Sequence, residues 1–585
     1  MPLPRPFFAV VAASAFAAFA LSSPSAHAQK KTPVSGAAKK PATVVAAKPE
    51  PTTLSAGEKA AIERVSVDTI KQVVTDLTAP EMEGRGTGQP GGDKAAQYIA
   101  QRFQSLGLKP LGDKGTFLQT IPFEATEYTP ETKFTLDDKT ELTLGKDFAR
   151  VPIPGVGPES SAAGEVVFVG YGVESNPLDH HDLKNIDLQG KIVVLIGSGR
   201  PKNFSESSWK QAGDPQAVII PLIMRQVKAI LFVGVESGGL DFPQLADYLS
   251  RRQVSLSGAE SEGAPPFPLP AFLFIGDEGA EKLFAGSGTT YAELKQKAEA
   301  NEFVSRPLAR SATIAIKATK EKVFSSNVVG VLEGSDPKLK KEAIVISAHY
   351  DAYGIDAKTG RVFPGAADNA LGIGEMIAIA EALTKAPQKP RRSFVFLAVT
   401  GEEFGLLGSK YWIQRPTWPL ASVVANLNYD GIGTEVYGPV KSIVGYGKEF
   451  STLGRTLTGA VASLGVVIVP DPMPEEKTFE RSDHYTFVQV GIPAMMTLGG
   501  PEITDKAAFI ARIKKWMKED YHQPTDIIRP DWDWGGAQTV ARLLLVMGMR
   551  VSQAEAAPRW LPSSPYQRKA TGKPMPVMKK PAPKL

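Results

Sequence analysis

A chain of 585 residues that is 43% hydrophobic can bury one or two substantial cores. It contains no cysteine, which excludes disulfides, thiolate nucleophiles and thiolate metal ligands, so a bound metal would have to use His, Asp and Glu. The formal net charge of +4 hides a segregation: the two ends carry the excess of Lys and Arg, and the body between them is mildly acidic, without the interleaved basic and aromatic residues of a nucleic-acid groove.

Residues 1–28 read as a cleavable signal peptide, with one charge at Arg5, an apolar stretch from Phe7 to Leu21 and the small-residue triplet Ala26, His27, Ala28. The expectation is export to a secreted or periplasmic location. No later stretch is long and apolar enough to span a membrane, so the mature chain is expected to have no transmembrane segment. Residues 29–57, rich in Ala, Lys and Pro, predict a disordered linker, and the basic, Pro-rich residues 556–585 predict a tail of the same kind. The charge of both segments suits contact with an anionic surface.

Residues 58–134 open with a helical pattern through Val65, Ile70 and Val74, followed by a second helical stripe of Ala95, Ile99, Phe103 and Leu106. Over 135–308 the texture changes to short apolar runs such as "GEVVFVGYGV", "GKIVVLIG" and "VKAILFVGV" between Gly, Pro and Asp, which predicts a compact, mostly β module. From 309 to 555, strongly apolar strands alternate with helices: "EAIVISAHYD", a helix from Ala370, "SFVFLAVT", a helix from Phe404, then "VVANLNYDGIG". That alternation predicts an α/β fold of three layers, αβα, with a mixed central sheet covered by helices on both faces. The helices of 58–134 have nothing of their own to pack on. The β module is therefore expected to be inserted into a split α/β domain.

In open α/β sheets, functional groups gather at the carboxyl ends of strands. Here that rule selects His349 and Asp351, Glu402 and Glu403, and Asp430, while "PGAADNA" sets Asp368 just ahead of a helix. Histidine is scarce, with six in the chain, yet His349 and His522 both sit among acids, in "SAHYDAYG" and "DYHQPTD". Two residues apart on a strand, His349 and Asp351 share a face, which suits a metal-bound imidazole steadied by a carboxylate. Asp368 could bridge two cations, with His349 and Asp430 completing one site and Glu403 and His522 the other. Adjacent residues at a strand end diverge, so Glu403 could bind metal while Glu402 turns to a bridging water as general base.

The ordered set HYD, ADN, GEE, NYDG, SDH and YH resembles the M28 family of metallopeptidases, and the module 135–308 resembles a protease-associated (PA) domain inserted in such enzymes. The resemblance implies the zinc-exopeptidase fold and two zinc ions. Its ligands would be His349, Asp430, Glu403, His522 and the bridging Asp368, with Glu402 as base. It further implies that Tyr521 donates a hydrogen bond to the oxyanion, and that Arg481, Asp483 and His484 line or support the substrate pocket. It also implies a cis peptide between Asp368 and Asn369. The activity expected is removal of N-terminal residues from peptide substrates. A carboxypeptidase or dipeptidase of the same family is the alternative, for which Arg361 or Arg481 would grip a terminal carboxylate. A non-catalytic receptor on the same scaffold is the alternative of another class.

Overall fold

The computed structural model describes residues 50–151, 158–235, 241–258, 269–431, 439–501 and 505–567. The expected signal peptide 1–28, most of the linker 29–57 and the tail from 568 lie outside the described residues. Folded structure starts where the composition changes. The helix Ala56–Ile62 is capped by Ser55, whose side chain accepts from the Glu58 N–H while the Glu58 carboxylate accepts from the Ser55 N–H.

The main sheet is built from β1 Leu118–Tyr128, β2 Gln253–Leu256, β3 Ala318–Leu332, β4 Ala343–His349, β5 Ser393–Val399, β6 Val423–Asn428, β7 Ser442–Tyr446, β8 Val467–Ile468 and β9 Ala494–Gly499. They lie in the order β2-β1-β3-β5-β4-β6-β9-β7-β8, and the short strand Lys109–Pro110 also pairs on β3. The central strands β5, β4, β6 and β9 are mutually parallel, and the flanking pairs β1–β3, β3–β5 and β7–β9 are antiparallel. From β4 the chain goes first to β5 on one side and then to β6 on the other, so the sheet changes winding direction at β4. A crevice therefore opens at the carboxyl ends of β4, β5 and β6.

Period-two side-chain alternation assigns the layers. Ile344, Ile346, Phe394 and Phe396 face a cluster formed with the helices Val67–Leu77, Pro90–Ser105, Leu371–Lys385 and Trp534–Gln553. Their neighbours Val345, Val395, Leu397 and Val399 face the opposite cluster, with Trp412 and Phe487 from the helices Leu407–Gln414 and His484–Gln489. Both faces are covered, which is why these strands read as continuous apolar runs. The mixed sheet and its two helical layers agree with the fold class expected from the sequence.

Between β1 and β3 the chain forms a second sheet, of eight strands, with its own core. The runs singled out in the sequence become the strands Ser160–Phe168, Ile192–Ile196, Ala229–Val233 and Ala271–Ile275. Among the described residues, five α-helices that the apolar runs did not announce accompany them, and the strands Lys133–Leu136 and Arg306–Ile316 run across the junctions drawn at 134/135 and 308/309. One excursion leaves this sheet altogether: the helix Phe242–Ser250 leads into β2, which pairs antiparallel with β1 at the edge of the main sheet. Among the described residues no helix is long and apolar enough to cross a membrane.

Phe396 is fully buried, with its ring centroid 6.2 Å from that of Phe103 across the sheet–helix boundary. Phe396→Ala is expected to cost about 3–5 kcal/mol, read as a lower denaturant midpoint at unchanged slope; an unchanged midpoint would contradict this packing.

Candidate metal centre

Three chain segments converge on the end of β4. His349, its last residue, is 1% exposed, and its Nε2 lies 3.1 Å from Asp368 Oδ1 and 3.2 Å from Asp430 Oδ1. Asp430 follows β6 by two residues, and Asp368 sits in the turn Ala366–Ala370 ahead of the helix Leu371–Lys385. A second cluster shares Asp368: His522 Nε2 is 3.4 Å from Asp368 Oδ2 and 2.9 Å from Glu403 Oε2. The structure thus brings all five candidate ligands together as two triads with one common carboxylate.

The donor set fits zinc on chemistry and on spacing. A tetrahedral ion with ligand arms of about 2.0 to 2.1 Å has donor-to-donor edges of about 3.3 to 3.4 Å, close to the separations found here. His522 Nε2 is buried without a hydrogen-bond partner, although carboxylates surround it. A donor atom aimed into a polar gap in this way suits a cation.

Neighbouring groups hold each ligand. Asp351 is fully buried; its Oδ1 lies 3.6 Å from His349 Nδ1 and accepts the Glu402 backbone N–H at 3.2 Å, while Thr87 Oγ1 donates to Oδ2 at 3.1 Å. Asp351 therefore orients a ligand imidazole through its backbone carbonyl, 3.2 Å from His349 Nδ1, where the sequence reading expected its carboxylate, and the carboxylate orients the backbone of the Glu402–Glu403 pair. The Asp368–Asn369 peptide is cis, as the resemblance implied.

Three supporting residues were missed by the sequence reading. Asp526 accepts the N–H groups of Ala367 and Asp368, at 2.9 and 3.0 Å, one on each carboxylate oxygen, and so binds the His522 loop to the Asp368 turn. Arg85, fully buried, donates to the carbonyls of Leu77, Tyr350, Pro364 and Gly365, joining that turn to the end of β4. Gly365 here has φ +57, and an added Cβ would lie 2.5 Å from the Asp368 carbonyl oxygen and 2.8 Å from Arg85 Nη2. Tyr353 donates to Glu403 Oε2 at 2.8 Å and lies 3.2 Å from His522 Nδ1. The "DYHQPTD" stretch did contain Asp526, but only as a flanking acid. A tyrosine or arginine in a loop carries no signal in a search for metal-ligand residue types.

The remaining candidates divide. Glu402, half-buried, lines a cavity beside Asp368 and Asp430, whose far wall is apolar: Val444, Met496, Leu498, Phe509, Ile513 and Trp516. Tyr521 lines it too, its ring stacked on His522 at 3.6 Å between centroids. Arg481 stands in the cavity wall with Nη1 3.3 Å from Glu476 Oε2. Asp483 and His484 are buried behind the wall and do not line it; the His484 ring lies 5.2 Å from Phe479, and burial lowers its imidazole to about 3. Arg361 is held elsewhere, at 2.5 Å from Asp247 and 3.4 Å from Asp356.

Charge governs the centre. Burial alone would lower the His522 imidazolium, but Glu403 and Asp368 outweigh it and raise the group to about 9. His349 is likewise raised, against burial, by Asp430 and Glu402. Burial would raise Asp368, yet the two neighbouring histidines hold it below the ordinary carboxylate range. In the metal-free protein the protonated imidazoles thus supply the positive charge that these carboxylates need.

Residues 327–547 match the model of peptidase family M28, the family that the motif set resembles. A probable glutamate carboxypeptidase, AMP1, of Arabidopsis thaliana is 26% identical over 379 residues, which make up 62% of this chain and 51% of that protein. The chain therefore spans about half the length of this curated relative. Among solved structures, the aminopeptidase from Aneurinibacillus sp. strain AM-1 aligns with a TM-score of 0.54 at 20% identity, covering 86% of this chain and 96% of that one. BSAP, a zinc aminopeptidase from Bacillus subtilis, aligns with a TM-score of 0.52 at 16% identity, covering 84% and 96%. Both likenesses are of fold, and they bear out the α/β class read from the alternation of strands and helices.

A ligating imidazole must be neutral at its metal-binding nitrogen, so zinc binding at pH 7 should expel the His522 proton. With the metal-free group at about 9, zinc affinity should rise with pH by up to about tenfold per unit for each proton released and flatten above that value. Calorimetric titration in buffers of different ionisation enthalpy counts the protons; a count of zero would contradict the assignment of His522.

Proposed function

We propose that this chain, with its family M28 segment as the premise, is an exported zinc-dependent exopeptidase that removes residues from the N-termini of peptides. The observation that carries the reading is the convergence of two His–carboxylate triads on a shared aspartate, beside an apolar cavity. His349 and Asp430 would hold one ion, Glu403 and His522 the other, and Asp368 both. Two zinc ions held there would supply Lewis acidity, lowering the pKa of a water and polarising the scissile carbonyl.

The protein's own groups would do the rest. Glu402 opens on the cavity, and burial raises its carboxyl well above the usual range, which suits a group that must accept a proton. It would take that proton from the attacking water and deliver it to the leaving amine as the C–N bond breaks. Burial keeps the Tyr521 phenol protonated, so it would donate to the oxyanion of the tetrahedral intermediate. The apolar wall would receive the side chain of the residue being removed, and the carboxylates of Glu402 and Asp430 would face its free amine. The second sheet, read as a PA-like insertion, would border access to the crevice. The leader at 1–28 supports export.

Arg481 favours a second reading. It is a guanidinium in the cavity wall, and a carboxypeptidase would use such a group to grip a terminal carboxylate. Two features weigh against it: Arg481 already faces Glu476, and Arg361 is tied to Asp247 and Asp356.

Free-amine aminoacyl substrates should be turned over and N-blocked peptides spared, with all turnover lost to a chelator; cleavage of the blocked peptide alone would reject the aminopeptidase reading. Glu402→Ala should lower kcat by about 10²–10⁴-fold with zinc content unchanged. A non-catalytic receptor would have no turnover to lose, and its peptide binding would be indifferent to the change.

A further inference from the structure

The two triads are not supported alike. That of His349 and Asp430 is braced within the main sheet, by Asp351 and Thr87. That of Glu403 and His522 is reached by side chains from the excursion of the second sheet, the helix Phe242–Ser250 and the residues after it. Tyr248 donates its hydroxyl to the Glu403 carbonyl at 3.3 Å, and its ring stacks over His522 with centroids 5.9 Å apart. Arg251, 6% exposed, donates Nη1 to the His522 carbonyl at 3.0 Å. Among the described residues, no hydrogen bond or ring contact joins Tyr248 or Arg251 to His349 or Asp430.

The contact with His522 falls where the backbone needs it. His522 has φ +60, in the left-handed region that non-glycine residues occupy only when the surroundings enforce it. The guanidinium that caps its carbonyl is itself fixed. Asp247 accepts from Arg251 Nη2 at 2.5 Å and takes Arg361 on its other oxygen, while the Arg251 head lies 4.2 Å from the Phe363 ring centroid and 5.1 Å from that of Tyr353. Tyr353 in turn contacts both ligands of the same triad, at Glu403 Oε2 and His522 Nδ1. A donor to one ligand and a neighbour of the other's second nitrogen, it fixes their mutual orientation, and Arg251 and Tyr248 fix Tyr353.

We infer that Arg251 and Tyr248 are positioning residues for the Glu403–His522 half-site, so that the excursion from the second sheet sets the affinity for one of two metal ions. The inference rests on the two-ion reading above. It makes the inserted segment a structural part of the metal centre in addition to a border of the crevice.

Zinc content is measured by mass spectrometry after equilibration of the full chain against buffers of graded free zinc. Wild type should load two ions. Arg251→Ala and Tyr248→Phe should each weaken one of the two by about 10–100-fold and leave the other as in wild type. Arg251→Lys, which keeps a cationic donor near the His522 carbonyl and Asp247, should recover part of the loss. Tyr248→Phe removes a single hydroxyl and stays informative should Arg251→Ala not fold. Arg310→Ala serves as the control: it breaks a buried anchor of the second sheet, to Asp137, Asp138 and the Ala285 carbonyl, remote from the centre. It should lower the melting temperature with both zinc affinities intact. Two affinities unchanged in the Arg251 and Tyr248 variants would overturn the inference, and so would an equal loss in Arg310→Ala. A wild-type protein that loads fewer than two ions would instead overturn the two-ion reading, and the inference with it.

Discussion

The centre depends on compensation of buried negative charge. Asp351, Asp368, Glu403 and Asp483 are buried and Glu402 and Asp430 half-buried around two imidazoles. Withdrawing a carboxylate from water costs several kcal/mol even after relaxation, and the buried guanidinium groups nearby are spent elsewhere, Arg85 on backbone carbonyls and Arg251 on Asp247 and the His522 carbonyl. Positive charge must therefore come from within the cluster or from bound ions. The imidazoles supply it in the metal-free state and would surrender it to metal, so protonation and metal loading are competing ways of satisfying one constraint.

The fold answers that constraint by bringing acids together from distant points of the chain without letting their loops move apart. Parallel strands that change winding direction at β4 put four chain segments at one edge. The loops that carry Asp368 and His522 have no sheet register to fix them, and they are fixed instead by side chains on backbone. Asp526 takes two consecutive N–H groups of the Asp368 turn, and Arg85 takes the carbonyls of Pro364 and Gly365 just ahead of it. Each of these polar groups is buried and would be costly to leave unpaired, so the clamp is self-enforcing.

Of the candidate ligands, His349, Glu403 and Asp430 were legible in the sequence because each ends or closely follows an apolar strand run. Asp368 and His522 needed other signals, one a carboxylate just ahead of a helix and the other a scarce histidine among acids. The strands of the main sheet were legible for a related reason: burial on both faces writes continuous apolar stretches such as "SFVFLAVT". The supports were not legible. Tyr353, Arg85, Tyr248 and Arg251 act through backbone carbonyls, ring faces and single hydroxyls, and their meaning lies in partners up to 280 positions away, as with Arg85 and Gly365. The strand Gln253–Leu256 was hidden likewise, since its partner Leu118–Tyr128 belongs to the main sheet and not to the sheet around it in sequence. The helices of the second sheet are short: the helix Pro215–Met224 is apolar nearly throughout and the helix Glu206–Ala212 spans seven residues, too little for a periodic stripe to stand out.

Why adjacent glutamates are tolerated follows from how differently the two are held. Glu403 is buried, with its carboxylate fixed by the Tyr353 hydroxyl and the His522 imidazole, its carbonyl bonded to Tyr248 and no opening to the cavity. Glu402 is half-buried, is held through its backbone, with its N–H on Asp351 and its carbonyl accepting from Gly405 and Leu406, and faces the cavity. Burial raises both carboxyls; His522 opposes the rise at Glu403 and His349 opposes it at Glu402, where Asp430, Asp483 and Glu403 add further negative charge. Two neighbours of identical chemistry are thus held differently, and in the proposed reaction one would hold an ion while the other would take a proton.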